Sequence, residues 1–409
     1  MRILQINNTH SIKGGADRVY FNTGKLMASF GHDVSYFSTF ENDIEKSEFS
    51  KYFIRFKNKR EAGFFSKLSS VKDYIYNNHA YDNLSKLIHD FQPEIAHVHL
   101  FCGGLSLSIL KALKKYDIPI VQSVHDYRLL CPANAFLDAN NQICEKCYNR
   151  SYYQCAVKQC VDRNFFYSSM VSIEAYFRKY FINPIEYIDH FLFVSQFAKN
   201  KHIDFDDRFR TKSDHQFNFT YLPPSTKVIY PEKKYLLFYG RLSVEKGLTT
   251  LLSAIEDVDI DLKIVGTGPQ YNVALEYSRT HENIHVLGYK SGSELDELIA
   301  NAYFIVVPSE WYENNPMTIL EAYSVNKPVI GARIGGIPEI VHDHKTGFLF
   351  ESRNTEDLTQ SIRKAMDMTE PEYIEMASAA RRFAEENFSP EIHYEKLLFI
   401  YSNLISHAK

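Results

Sequence analysis

Two cationic side chains follow an apolar run in the second half of the chain. Arg241 and Lys246 lie in the segment GRLSVEKG, which comes directly after the strand-like run Tyr235–Tyr239 and precedes a helical pattern. Positive charge at the start of a helix is unfavourable, because the helix dipole is already positive there. Two cations at this place are suited to neutralising a diphosphate leaving group. The alternative is a pair of solvated surface charges.

A loop that follows another apolar run carries two carboxylates. Glu313 precedes a predicted helix, and Glu321 lies more than one turn inside it. Asn315 is suited to the N-cap and Pro316 to the first helical turn, so free backbone N–H groups are expected there. Such a helix start can hold a diphosphate, while one carboxylate contacts a sugar hydroxyl and the other a ribose hydroxyl. A capped helix with solvated acids is the alternative.

Glycines stand where the backbone could approach a phosphate or a sugar. Gly14 and Gly15 follow the first strand-like run and open a helix, although a tight turn alone would also favour them. Their spacing is not the G-x-G-x-x-G fingerprint, so a bound dinucleotide is not indicated. Further glycines end later strand-like runs, at Gly240, Gly266 and Gly335-Gly336.

A histidine ends one of the runs in the first half. His125 follows the run Ile118–Val124 and precedes Asp126. At the carboxyl end of a strand its imidazole could hydrogen-bond a sugar. A purely structural histidine is equally compatible with this position.

Five of the six cysteines fall within one short stretch. In a reducing compartment such a cluster is more typical of metal binding than of disulfides. Four thiolates would form a closed structural zinc site, but the spacings are irregular and five residues compete for four positions. Reduced thiols or disulfides therefore remain the alternative. The five are Cys131, Cys144, Cys147, Cys155 and Cys160.

A basic segment interleaved with aromatic residues covers residues 51–72. It carries seven Lys or Arg residues against one acid, Glu61. This composition is suited to peripheral docking on an anionic membrane surface, and a solvated loop with a few core aromatics is the alternative. A second aromatic stretch, residues 163–187, could line a groove or form a core helix.

All of these residues need elements that position them at one edge of a sheet. Short apolar runs alternate with helical patterns, which predicts parallel βαβ units covered by helices on both faces. Ligands of such sheets bind at the carboxyl ends of the strands, where the candidate residues lie. The predicted strands are Arg2–Asn7, Val34–Ser38, Ile95–Leu100, Ile118–Val124, Phe191–Ser195, Tyr235–Tyr239, Leu262–Val265, Ile284–Leu287, Phe304–Val307 and Pro328–Gly331. The predicted helices include Ala16–Phe30, Leu248–Ile255, Leu295–Ala302 and Thr318–Val325.

The length of 409 residues is too great for one ordinary core, so two doubly wound α/β domains are predicted. Their join is expected near Leu222-Pro223-Pro224, which gives a first domain of residues 1–222, with the cysteine-rich insert 131–160, and a second of residues 223–389. The last segment, 390–409, is expected to be a helix that packs back on the first domain.

Composition excludes several classes of protein. The net charge of −4 is not that of a nucleic-acid-binding chain. No apolar run approaches the length of about 18 residues that a membrane-spanning helix needs. The first residues lack the layout of a signal peptide, so the expected location is the cytoplasm.

Taken together, the motifs resemble glycosyltransferase family 4, a family of retaining enzymes with the GT-B architecture of two Rossmann-like domains facing a cleft. The spacing of Glu313 and Glu321 is that of the family's paired glutamates. The matching segments, in the expected order, are GGADRV at 14–19, GHDV at 31–34, HD at 125–126, GRLSVEKG at 240–247, VGTGP at 265–269, ENNPMTILEA at 313–322 and GGIPEIV at 335–341.

The resemblance implies a role for each matched residue. Arg241 and Lys246 would hold the donor diphosphate, Glu313 the donor sugar and Glu321 the ribose. The donor site would be completed by Gly14, Gly15, Gly240, Gly266, Asn314, Asn315, Pro316, Met317 and Thr318, and His125 would lie near the transferred sugar. Asn314-Asn315 replaces the Phe-Gly that is frequent in the family, which leaves the identity of the sugar open.

The resemblance also implies a reaction. A UDP- or GDP-sugar would donate its sugar, without a metal or other cofactor, to a glycan or lipid-linked acceptor, in the synthesis of a bacterial surface polysaccharide at the inner face of the plasma membrane. A nucleotide-sugar epimerase or a phosphorylase of the same fold is an alternative, and so is a non-catalytic binder of nucleotide sugars. Fold alone does not decide among them.

Overall fold

A computed structural model of the chain describes residues 1–40, 48–55, 71–224 and 228–408. The chain divides into two compact units. The first unit comprises Met1–Gln216 together with His393–Lys409, and the second comprises Phe217–Ile392.

The first unit is built on a six-stranded sheet in which every neighbouring pair is parallel. The strand order is β2-β1-β3-β4-β5-β6, so the connections change direction between β1 and β3. Such a reversal opens a crevice at the carboxyl ends of the two central strands. The strands are β1 (Arg2–Thr9), β2 (Asp33–Thr39), β3 (Ile95–Val98), β4 (Ile120–Val124), β5 (His190–Phe193) and β6 (Ser213–His215).

Side-chain caps fix the starts of several helices in this unit. Asn77, Asn164 and Ser195 each accept a hydrogen bond from a backbone N–H of the first turn, which otherwise lacks a partner. The helices are α1 (Gly15–Ser29), α2 (Asn78–Phe91), α3 (Ser108–Lys115), α4 (Tyr153–Val157), α5 (Phe165–Tyr180), α6 (Pro184–Tyr187) and α7 (Gln196–Phe205), with 3₁₀ turns at Ser50–Tyr52 and Asp207–Lys212.

The second unit repeats the theme with a second six-stranded parallel sheet. Its order is β12-β11-β10-β7-β8-β9, so β7 and β10 are the adjacent central strands at which the direction of the connections reverses. The strands are β7 (Tyr235–Tyr239), β8 (Asp261–Val265), β9 (Ile284–Gly288), β10 (Phe304–Val307), β11 (Val329–Ala332) and β12 (Gly347–Phe350).

Helices cover this sheet on both faces, and the side chains of β7 are buried on both sides. Leu236 and Phe238 belong to one buried cluster, whereas Tyr235, Leu237 and Tyr239 belong to another. Because successive side chains of a strand point to opposite faces, both faces of the sheet are covered. The helices are α8 (Leu248–Ile255), α9 (Tyr271–Thr280), α10 (Ser293–Asn301), α11 (Met317–Ser324), α12 (Ile337–Ile340), α13 (Thr355–Met366) and α14 (Glu370–Asn387), with a 3₁₀ turn at Val244–Lys246.

The last helix, α15 (Pro390–Ala408), supplies core residues to the first unit from His393 onward. Leu397, Ile400 and Tyr401 pack with Ile3 and Val121 in one buried cluster. This helix therefore completes one face of the first sheet.

The predicted fold class, two Rossmann-like α/β halves, is confirmed. Two strands were not predicted, namely β6 and β12. Both are short, and the SDH sequence of β6 carries no apolar run. Within the described ranges, no helix combines the length and hydropathy that crossing a membrane requires.

Candidate functional site

The loops after β7 and β10 meet at the centre of the second sheet. These two strands are hydrogen-bonded neighbours, and the connections leave them in opposite directions. The loop after β7 carries Arg241 and Lys246, and the loop after β10 carries Glu313. Sheet topology thus brings together side chains that lie far apart in sequence.

Lys246 and Glu313 form an ion pair at this position, with 2.6 Å between Nζ and Oε1. Ser309 donates a second hydrogen bond to the same carboxylate oxygen at 2.8 Å. The Lys246 ammonium also lies 5.0 Å from the ring centroid of Trp311, within the range of a cation–π contact. The ammonium is therefore held by a charge and by an aromatic face.

Glu313 is only 5% exposed, which makes its charge state informative. Burial by itself raises the pKa of a carboxyl group. Here the Lys246 ammonium and the hydrogen bonds from Lys246 and Ser309 outweigh burial, so the pKa of Glu313 lies below its ordinary value. The side chain is a carboxylate at neutral pH and can accept hydrogen bonds.

Two glycines allow the loops of this site to pack closely. Gly247 has φ +73°, and a Cβ there would lie 1.8 Å from the carbonyl oxygen of Pro308. Gly335 has φ +58°, and a Cβ there would lie 2.2 Å from the carbonyl oxygen of Glu313. The next residue, Gly336, donates its N–H to that oxygen at 2.7 Å. Glycine is therefore required at both positions.

Glu321 lies on α11, which begins directly after the Glu313 loop. The Tyr239 hydroxyl is 3.0 Å from Glu321 Oε2 and also 3.0 Å from the carbonyl oxygen of Thr318. Tyr239 is the last residue of β7, so the second glutamate is tied to the same strand that leads to Arg241. Glu321 is half-buried, one turn inside the helix that begins at Met317.

The start of α11 differs from the prediction. The helix begins at Met317, and Pro316 rather than Asn315 occupies the N-cap. Asn315 is buried, and its Oδ1 accepts a hydrogen bond from the backbone N–H of Asn218 at 2.8 Å. The predicted N-cap was wrong because a residue distant in sequence uses the side chain that would have capped the helix.

Arg241 and the glycines around it lie at the rim of this site. Arg241 and Gly240 are exposed. Gly266, at the end of β8, approaches so closely that a Cβ would lie 1.8 Å from the carbonyl oxygen of Gly240. The backbone N–H of Leu242 donates to the carbonyl oxygen of Thr267 at 2.9 Å, which fixes the loop after β7 to the loop after β8.

In the first unit, His125 ends a row of three histidines. Nδ1 of His99 is 2.9 Å from Nε2 of His125, and the two rings are stacked with centroids 5.2 Å apart. His97 stacks on His99 as well, at 4.5 Å. His97 in turn contacts the Tyr401 hydroxyl through Nδ1 and Ser123 Oγ through Nε2. The sequence analysis did not single out His97 and His99, although their i, i+2 spacing places both on one face of the strand region at β3.

Burial keeps these rings neutral. It lowers the pKa of His125 to about 4 and that of His97 to about 3, and it lowers the pKa of His99 well below its ordinary value. His99 Nε2 faces the side-chain amide oxygen of Gln5 at 3.0 Å, so this nitrogen carries the proton. Nδ1 of neutral His99 is then an acceptor, and His125 Nε2 is the donor.

The predicted glycine turn of the first unit is organised by Asp17. Gly14 precedes α1 in an extended conformation, and its N–H donates to Asp17 Oδ2 at 3.1 Å, as does that of Lys13. Asn7 and Thr9 donate to the other oxygen of Asp17. Gly14 and Gly15 are exposed, so a ligand can approach the backbone at this turn.

The cysteine-rich insert contains free thiols. Nowhere in the described residues are three or more His, Cys, Asp or Glu side chains grouped so as to hold a metal ion, so the zinc interpretation is not supported. Burial raises the pKa of the Cys131 thiol to about 11 and that of Cys147 to about 12. These thiols are therefore protonated and act as small apolar groups, and Cys147 and Cys155 pack with Tyr152 in a buried cluster.

The structure describes the aromatic stretch 163–187 but only part of the basic aromatic segment 51–72. Residues 56–70 of the basic segment 51–72 lie outside the described residues, so membrane docking by that segment stays a prediction. The second stretch contains α5, which leaves large side chains exposed at both ends, with Phe165 63% exposed at one end and Tyr180 66% and Phe181 71% exposed at the other.

Two family models match the chain in succession. The model described as Glycosyltransferase Family 4 matches residues 13–211, and the model described as Glycosyl transferases group 1 matches residues 224–383. The two matches together cover most of both units.

Individual proteins give the same result. An uncharacterized glycosyltransferase from Methanocaldococcus jannaschii is 31% identical over 188 residues, which is 44% of this chain and 51% of that protein. The sulfoquinovosyl transferase of Arabidopsis thaliana is 35% identical over 160 residues, 38% of this chain and 31% of that protein. The chain thus spans about half or less of the length of these curated relatives.

The fold is shared over a greater length. The crystal structure of the Anabaena protein HepE in complex with UDP and glucose superimposes with a TM-score of 0.66 at 15% identity, covering 98% of this chain and all of that one. At this identity the likeness concerns the fold. The resemblance noted in the sequence is confirmed by the two family matches and this shared architecture, and the chain belongs to the family 4-like glycosyltransferases of GT-B fold.

Proposed function

We propose that the chain is a retaining glycosyltransferase that uses a nucleotide-diphosphate sugar as donor. The observation that carries the proposal is the Lys246–Glu313 ion pair at the point where the connections of the second sheet reverse. Open parallel sheets bind their ligands at this point. An ammonium and a carboxylate held 2.6 Å apart provide one group for a phosphate and one for a sugar hydroxyl.

In the proposed complex, Lys246 and Arg241 contact the diphosphate. Both are cationic, and charge-assisted hydrogen bonds to phosphate are among the strongest in proteins. The backbone N–H groups at the start of α11 add further donors of the kind that bind phosphate. Glu313 accepts from hydroxyls of the donor sugar, and Glu321 accepts from the ribose.

The proposed reaction needs no protein nucleophile and no metal. The acceptor hydroxyl attacks the anomeric carbon on the face from which the diphosphate departs, through an oxocarbenium-like state. The bond between the anomeric carbon and the diphosphate oxygen breaks, and the acceptor proton passes to an oxygen of the departing phosphate. Lys246 and Arg241 stabilise the negative charge that develops on the leaving group. His125, which is neutral, hydrogen-bonds the transferred sugar.

The acceptor is proposed to be a glycan or a lipid-linked sugar used in a bacterial surface polysaccharide, at the cytoplasmic face of the membrane. We propose that the nucleotide of the donor is UDP or GDP. The Anabaena structure with UDP and glucose supports testing UDP-sugars first.

The test is a thermal-shift panel of UDP-, GDP- and ADP-sugars, followed by turnover with the sugar that binds. Replacement of Glu313 by Gln removes the charge but keeps the shape, and it is expected to lower kcat about 100-fold, a loss typical of a group that acts on the transition state. NMR of the product is expected to give the same anomeric configuration as in the donor.

Glu310→Gln is the matched control. Glu310 lies in the same loop and also pairs with a cation, since its Oε2 is 3.4 Å from Arg353 Nε. Its variant is expected to turn over at a rate close to that of the unmodified chain. Equal rates for Glu313→Gln and Glu310→Gln, or an inverted product, would contradict the proposal.

A further inference from the structure

A pocket in the first unit lies outside the residues assigned to the donor. Its volume is about 210 Å³, which is room for about seven water molecules. The walls come from the cysteine-rich insert, α5, α6, the end of α7 and the 3₁₀ turn that follows it. Four cationic residues and one carboxylate line it, namely Arg150, Arg178, Lys179, Arg208 and Asp206.

Arg178 is the most buried of the four cations, with 4% of its surface exposed. Its Nε donates to Glu174 Oε1 at 3.1 Å, one helical turn earlier on α5. Its Nη2 is also buried and, among the described residues, has no hydrogen-bond partner. Oε2 of Glu174 is likewise buried and has no hydrogen-bond partner among the described residues, so one hydrogen bond joins the two side chains. Arg178 therefore places a nearly fully buried positive charge in the wall of the pocket.

Two further guanidinium groups share a single carboxylate. Asp206 accepts from Arg150 Nη2 at 2.8 Å and from Arg208 Nη2 at 2.8 Å. Arg208 also lies 3.4 Å from Glu186. Arg208 Nε also donates to Asp206 Oδ1 at 2.9 Å. Because each guanidinium has five N–H donors, these contacts still leave N–H groups of Arg150 and Arg208 for a ligand.

The rest of the wall is apolar, so the pocket does not suit a free hydrated ion alone. Leu129, Ala175, Ile185, Phe205 and Phe209 line it. Tyr180 also lines the pocket and is 66% exposed, with the Lys179 ammonium 4.7 Å from its ring centroid. An apolar wall with a few converging charged groups is the usual build of a small-molecule site.

We propose that this pocket binds a phosphate group carried by a small organic moiety. Several guanidinium groups that converge from different elements match the three terminal oxygens of a phosphate monoester better than the two oxygens of a carboxylate. The organic part packs on the apolar wall. The phosphate comes either from a soluble ester or from a phospholipid headgroup, and the proposal does not depend on glycosyl transfer.

The test measures binding of the full-length chain to two probes. Isothermal titration uses sn-glycerol 3-phosphate as the soluble ester, and flotation uses phosphatidylcholine vesicles with and without phosphatidic acid as the headgroup. The double variant Glu174→Leu/Arg178→Met removes the guanidinium without leaving a lone buried carboxylate, an exchange that proteins often tolerate. We expect it to bind the preferred probe at least about tenfold more weakly.

A second pair of variants keeps the test decisive if the double variant fails to fold. Arg208→Met removes a pocket cation, and Arg210→Met removes an exposed cation of the same 3₁₀ turn that does not line the pocket. Weaker binding for Arg208→Met and unchanged binding for Arg210→Met support the proposal, whichever probe is preferred. The proposal is overturned if neither probe shows saturable binding, or if Arg208→Met binds as well as Arg210→Met.

Discussion

At the scale of single residues, two pairs of side chains are central to the proposed chemistry. In the second unit, Lys246 and Glu313 fix each other's charge at the end of the central strands. In the first unit, the contact between His99 and His125 fixes which nitrogen of His125 carries a proton. Each pair joins two residues that follow neighbouring strands, so in each unit the sheet brings the two side chains together at the carboxyl ends of its strands.

The histidine contact gives a prediction about His125. We expect its imidazole to be neutral at pH 7 with the proton on Nε2, because Gln5 makes Nδ1 of His99 an acceptor. Nitrogen-15 NMR of the two ring nitrogens measures this directly. His99→Leu removes the acceptor that faces His125 Nε2 and should therefore weaken this preference. A proton on Nδ1 of His125 in the unmodified chain would contradict the assignment.

Some residues of the candidate site could be predicted from the sequence, whereas contacts between residues distant in sequence could not. The positions of Arg241, Lys246 and Glu313 after strands could be predicted, because cations and acids directly after apolar runs are visible in the sequence. The buried contact of His97 with Tyr401 could not, because 304 residues separate the two. The N-cap was misassigned for the same reason, since the partner of Asn315 is the distant Asn218.

At the scale of elements, the loops around the second unit's site are held together by backbone contacts that only glycine permits. Gly247 links the loop after β7 to Pro308 at the end of β10, and Gly335 links the loop after β11 to Glu313. The position of the ion pair therefore depends on main-chain packing as well as on its own charges.

Gly247→Ala is expected to destabilise the chain strongly. The left-handed backbone costs a non-glycine residue about 1–2 kcal/mol, and the added Cβ would also lie 1.8 Å from a carbonyl oxygen. Gly31→Ala is the control, because Gly31 follows the end of α1 with φ +83° but a Cβ added to it would meet no atom within 4 Å. Urea unfolding should show a clearly larger loss for Gly247→Ala. Equal losses would mean that the close approach is unimportant.

Most strands could be predicted at this scale, since they are apolar on both faces and end in glycine or polar residues. The prediction of β7 as Tyr235–Tyr239 matches the structure. The short edge strand β6 could not be predicted, because its three polar residues carry no periodic apolar signal. It is held to β5 by the backbone ladder and by the contact of Asp214 with His190, whose Oδ2 and Nε2 are 3.3 Å apart.

At the scale of the whole molecule, the buried histidines make the first unit sensitive to acid. His10, His97, His99 and His202 are at most 1% exposed, and burial lowers the pKa of each. In the unfolded chain a histidine has a pKa of about 6.5. Between pH 6.5 and pH 4 the unfolded state therefore binds more protons than the folded state.

The free energy of unfolding is accordingly expected to decrease as the pH falls from about 6.5 to about 4, by up to about 1.4 kcal/mol per pH unit for each such histidine. Urea titrations at several pH values measure this slope. His202 is enclosed by Phe193 and Phe209, and its pKa is lowered to about 4. His202→Phe should therefore reduce the slope of the unfolding free energy against pH by up to about 1.4 kcal/mol per pH unit. A slope that His202→Phe leaves unchanged would argue against the contribution of this residue.

The last helix has a consequence for how this protein is made. Because His393–Lys409 belongs to the first unit, that unit is discontinuous in sequence and lacks Leu397, Ile400 and Tyr401 until the residues that follow the second unit have been synthesised. On the ribosome, the second unit can complete its core before the first one can. A fragment that stops at residue 216 would leave one face of the first sheet open to water, so attempts to express that half alone should include the C-terminal helix.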